Sequence, residues 1–173
     1  MKFFLKALAV VGALASAQAA SAVQITPLTL DGGWKMFGFA GVGTKIYNTF
    51  GFTVAAGQAA HLTVTDGYTA GDMFEVFSNN VSLHHTYVPT PGGPSLGKKF
   101  DLAAANPNFS HRTFYFTAGT YTITMLVTRR AGNATHNDTG ALRLDTAPIP
   151  VPAAGFMLLT ALGGVAAARR RKA

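Results

Sequence analysis

Apolar and polar residues alternate with a period of two along most of the middle of this 173-residue chain. Tyr47 to Val54 sets Phe50, Phe52 and Val54 on one face, and His61 to Thr65 alternates cleanly. Met73 to Phe77, Arg112 to Phe116, Tyr121 to Thr128 and Gly140 to Leu144 repeat the pattern, while Gln24 to Leu30 and Val81 to Tyr87 also read as strands. Threonines on the positions opposite the apolar ones mark a sheet with one buried face. Turn residues separate the runs, among them Asp31-Gly32-Gly33, Asp66-Gly67, Ser78-Asn79-Asn80 and Ala131-Gly132-Asn133. Ala103 to Ala105 favours a helix that Pro107 soon stops, and no convincing amphipathic helix is predicted. About eight short strands at this spacing predict an all-β fold, an antiparallel, jelly-roll-like β-sandwich spanning residues 23–146.

The two ends break the pattern. Residues 1–22 read as a signal peptide. Lys2 and Lys6 give a basic start, Ala7 to Ala15 an apolar stretch, and Ala20-Ser21-Ala22 a small-x-small site, with cleavage by signal peptidase expected after Ala22. Ala17-Gln18-Ala19 is the fallback site. Residues 147–173 open on a proline-rich stretch, continue without charge from Val151 to Ala168, and end on Arg169, Arg170, Arg171, Lys172 and Ala173. A helix over residues 151–168 would reach ~27 Å at ~1.5 Å per residue, just short of a ~30 Å hydrocarbon core. The cationic stop predicts a cytoplasmic C-terminus, with Pro148 at the outer face. A soluble helix needs a polar face, and this segment has none before Arg169. A permanent anchor and one that is cut away both fit.

The run Ile149-Pro150-Val151-Pro152-Ala153-Ala154-Gly155-Phe156-Met157-Leu158-Leu159, with Gly163-Gly164 and the basic stop, resembles the PEP-CTERM sorting domain of Gram-negative bacteria, in its Val-Pro-Leu-Pro-Ala variant. Ile149 and Val151 depart from that pattern conservatively. The resemblance implies an exosortase-type membrane transpeptidase that recognises Pro150, Val151, Pro152 and Ala153 and removes the tail. It also implies an exported protein, transiently anchored in the inner membrane and then held at the cell surface or in the exopolysaccharide matrix, as in a biofilm. Leu62 to Phe77 and Ala118 to Met125 are similar, more loosely, to the β-sandwich of many PEP-CTERM proteins. That fold carries no fixed activity.

Charge alters the picture only once it is divided. Fourteen Lys and Arg face seven Asp and Glu, a net +7. Six of those cations lie in the two end segments, which leaves eight against seven, or +1, for the domain. The basic excess is therefore topological, and no nucleic-acid partner is expected. The chain has no cysteine, so no disulfide staples the exported domain.

Chemistry-bearing clusters are few. Asp66 and Asp72 bracket a glycine-bearing loop, with Glu75 three residues on. Hard oxygens so placed suit Ca²⁺, which takes about six to eight oxygen ligands. The plainer reading is that both aspartates cap turns through nearby backbone amides. Paired carboxylates also suggest glycoside hydrolysis, which nothing else in the chain supports. His84 and His85 are adjacent, so on a strand they face opposite ways and cannot chelate together. There is no Gly-x-Ser-x-Gly elbow and no thiol nucleophile. Trp34, Tyr68 and Tyr87 could stack on sugar rings if exposed, although aromatics more often fill a core. These residues point to a non-enzymatic exported β-sandwich; a carbohydrate-binding module with a structural Ca²⁺ is the alternative, and a secreted hydrolase the weakest reading.

Overall fold

In the computed structural model the described residues are 23–90, 92–131, 138–150 and 160. The expected signal peptide with Ala20 and Ala22, the helix over 151–168, the box residues Val151, Pro152 and Ala153, and the stop from Arg169 to Lys172 lie outside them, Thr160 apart. No helix among the described residues is long and apolar enough to cross a membrane.

The chain forms strands β1 (Ile25–Pro27), β2 (Lys35–Phe39), β3 (Thr49–Val54), β4 (Ala60–Asp66), β5 (Tyr68–Thr69), β6 (Met73–Ser78), β7 (Val81–His85) and β8 (Ser95–Gly97). Helix α1 (Phe100–Ala105) follows, then β9 (His111–Phe116), β10 (Gly119–Arg129) and β11 (Asp138–Thr146). One sheet runs β1-β3-β10-β6-β7 and the other β2-β11-β4-β9, with β5 and β8 as a small separate ladder. Every pairing is antiparallel except β1 with β3. The antiparallel pairs nest: β2 with β11, β3 with β10, β4 with β9, β6 with β7.

Alternation becomes burial as the sequence predicts. In β10, Ile123, Met125 and Val127 are fully buried while Thr122 and Thr124 on the other face are not. Phe50, Phe52, Phe74 and Val76 from the five-stranded sheet meet Phe37, Phe39, Leu62, Val64, Leu142 and Leu144 from the four-stranded one in a single core. Phe74 stands edge-on to Phe37 and Phe39 at centroid distances of 5.2 and 5.0 Å, so the two sheets interlock through aromatic contacts. Gly140 has a packing reason: a Cβ there would strike the Phe37 ring and come within 3.0 Å of the Thr65 carbonyl oxygen.

Several elements depart from expectation. The first strand is three residues long, and the one predicted to Tyr87 ends at His85. Strand β2 went unpredicted because its flanks are rich in glycine, although Phe37 and Phe39 alternate inward. Helix α1 is present as a single short turn-and-a-half with Phe100 and Ala103 buried. With α1 and β8, the segment around residues 95–110 lies over the four-stranded sheet, where Phe109, Ala103 and Ala70 form a second, smaller core.

Candidate functional site

The most unusual group of side chains lies where β4 gives way to β5 and β6. Asp66 ends β4 with no exposed surface, and Asp72 is 2% exposed. Asp66 Oδ1 accepts the Gly67 N–H at 2.7 Å, and its Oδ2 accepts the N–H groups of Gly71 and Asp72, each at 3.0 Å. One carboxylate thus closes the loop of residues 67–71 upon itself. Tyr68, with φ of 55°, and Gly71, with φ of 146°, turn the chain tightly enough for those amides to converge. A Cβ on Gly71 would strike Ala131, which shows how closely the loop between β10 and β11 approaches.

Asp72 makes the second connection. Its Oδ1 accepts the Ala131 N–H at 2.7 Å across the molecule, and Arg130 beside it holds Asp138 through Nε at 2.9 Å. Burial and the neighbouring Asp72 charge push Asp66 up to about 9, against the pull of its three amide donors. Burial, with a smaller contribution from Asp138, pushes Asp72 up to about 6. Two carboxyl groups so close and so dry do not both ionise readily, and the pair as a unit keeps a proton at neutral pH.

Glu75 does not join this cluster. It points outward from β6, accepting the Ser82 hydroxyl at 2.6 Å with His85 at 3.9 Å. Among the described residues no three acids or histidines converge as a metal site. Asp66 and Asp72 are brought together by the fold, and what they do in it is tie loops.

The three candidate stacking rings stand apart. Trp34 is half-buried; the Arg143 guanidinium covers its ring at 4.6 Å, and its indole N–H donates to Asp101 at 3.0 Å. Arg143 binds Asp101 at 2.6 Å and Asp145 at 2.7 Å, so Trp34 belongs to a closed surface cluster that fastens α1 to β11. Tyr87 is exposed, but Arg112 lies 5.6 Å over its ring and His111 packs at 5.5 Å. Tyr68 is exposed on β5. No ring contact joins any two of these three among the described residues. Of the sorting box, Pro150 is described: it is exposed and irregular, just beyond β11.

A contact missed in the sequence lies at that exit. Asp31 accepts the Thr146 N–H at 2.9 Å and the Thr146 hydroxyl at 2.7 Å, bonds that hold its carboxyl below the usual range. The two residues are 115 positions apart, so local sequence gave no signal of it.

No known protein family matches the chain, and no curated protein matches it. Among solved structures it is similar to the pre-peptidase C-terminal domain of a collagenase from Bacillus anthracis, at 12% identity and a TM-score of 0.39, over 69% of this chain and 91% of that one.

Proposed function

We propose that this is an exported, non-enzymatic β-sandwich protein, delivered across the inner membrane by its N-terminal signal and processed at its C-terminal tail by an exosortase-type enzyme. On this reading the mature domain resides at the cell surface or in the exopolysaccharide matrix. The observation that carries it is the tripartite C-terminal segment: proline box, uncharged stretch and four-cation stop. Two features of the fold support it. The nested strand pairs, β2 with β11 inward to β6 with β7, follow the order of a jelly roll, a self-contained cargo with its core complete by Leu144. Pro150, the first residue of the recognition box and the one of its four that is described, follows soon after and is exposed, as a residue that enters another protein's active site must be.

Intact-mass measurement of the extracellular product tests the proposal. The expected species begins at Val23 and ends near Pro152. A product that keeps Arg169 to Ala173 means a permanent anchor and overturns the processing step. Uncut chain recovered from the cytoplasm overturns export altogether.

A further inference from the structure

Among the described residues no layer covers the outer face of the five-stranded sheet, whereas α1 packs against β4 and β9 of its partner. Three adjoining hollows of about 380, 390 and 240 Å³ lie on it. The first shares Ile25 and Thr122 with the second, and the second shares Lys45, Asn80 and Thr124 with the third, so they form one shallow furrow. It crosses the strands from β1 to the β6–β7 turn. Register explains the direction: Ile25 stands beside Thr49, Thr124 beside Phe77, and Phe77 beside Ser82. Five strands at ~4.8 Å spacing give the sheet a width of about 19 Å, enough for several linked sugar rings.

The chemistry of the lining is specific. Threonine hydroxyls at 49, 122 and 124, with Thr53 and Thr120 alongside, each donate and accept, as a sugar hydroxyl does. Ile25, Phe77 and the threonine methyls offer apolar patches for the C–H faces of a ring. Lys45 is the single charged side chain among the described lining residues, and it is exposed with no ion pair. Among the described residues no acid lines the furrow; Glu75 pairs with Leu126, the residue that Lys45 bridges, and so lies two strands from Lys45 in the same row, where it accepts from Ser82. Val23 also lines it, so cleavage after Ala22 would add an α-ammonium group at the same place.

We propose that this furrow binds an extended acidic polysaccharide, with Lys45 facing its carboxylates and the threonine rows holding its hydroxyls. The inference deepens the matrix association proposed above and names the surface that makes it. Trp34, Tyr68 and Tyr87, the rings expected to stack on sugar, do not line it; the aromatic side chains that do include Phe77 and Tyr121.

Affinity electrophoresis of the purified exported protein through gels containing polygalacturonate, with neutral dextran as the control, tests the idea. Wild type should be retarded by polygalacturonate and much less by dextran, and added salt should release it. Lys45→Ala should weaken retention about tenfold, the loss of one charge-assisted contact. Lys45→Glu should abolish it, and Thr122→Val with Thr124→Val should weaken it while leaving the melting temperature unchanged, since valine keeps the β-branched shape. Retention that ignores all these changes, equal retention by dextran, or a face that proves to pair with a second copy of the chain and excludes the glycan would each overturn the proposal. The mass measurement is independent, so a correctly cut protein that fails to bind sinks this inference alone, and an uncut one that binds sinks only the processing step.

Discussion

The inter-sheet core and the loop layer at the end of β4 are held by opposite kinds of force. In the core, Phe37, Phe39, Phe74 and their neighbours interlock as apolar shapes, and the contribution grows with area removed from water. At the loops, cohesion comes from two buried carboxyl groups that gather backbone amides from two separate stretches of chain, residues 67–72 and Ala131. Apolar packing tolerates exchange of like for like. A hub of converging N–H donors does not, because every lost acceptor strands a buried donor. The difference teaches why a fold with no disulfide still has tightly defined loops.

Breaking each region in turn sharpens that contrast. Phe74→Ala should cost about 3–5 kcal/mol in urea unfolding, because it removes a ring that two others pack against and leaves a cavity. A loss under about 1 kcal/mol would mean that the sheets can collapse onto the gap. Asp66→Ala should cost at least about 2 kcal/mol, since three amide donors lose their acceptor. Its mark should also be local, with faster hydrogen exchange at Gly67, Gly71 and Asp72 and little change in the central strands. Uniform protection loss would show that the loop and core are not separable units.

Acidity distinguishes the regions a third way. Asp66 and Asp72 titrate above the ordinary carboxylate value in the fold, so the native state keeps protons that the unfolded chain releases near pH 4. Stability from the pair is complete below that pH and declines as pH rises through about 6 and about 9. The slope should not exceed about 1.4 kcal/mol per pH unit for each proton. Melting temperatures between pH 5 and 9 should therefore fall in wild type and fall less steeply in Asp72→Asn, where Asp66 alone still titrates; a wild-type profile flat over that range would mean the pair is already ionised at pH 5. The smallest effect belongs to the surface cluster on α1: Arg143→Ala should change stability by about 1 kcal/mol or less, because its partner Asp101 is largely in water.

The core was legible because its signal is local and repeated. Ile123, Met125 and Val127 announce their burial by spacing alone, and so do Phe50, Phe52 and Val54. Helix α1 was legible only at its end, where Ala103 to Ala105 favour a helix; at its start Lys99 makes no side-chain capping bond, and tertiary contact supplies what the sequence lacks. Strands β5 and β8 pair over a long separation with only two registered positions, too short a run for any period to show. The loop hub was half legible. Asp66 and Asp72 stand out on either side of a glycine-bearing loop, but the Ala131 amide that completes the hub comes from 59 residues away. Trp34, read as a core ring or a sugar platform, is neither, because a sequence cannot show Arg143 lying on its face.

The position of β11 has a mechanical consequence. It lies between β2 and β4, bonded along both sides, and the Asp31 clasp fastens its last residue, Thr146. A pull on the segment beyond Thr146 therefore loads two ladders in shear at once instead of peeling an outer strand. A domain tethered by that end would resist drag by stiffness built into its middle.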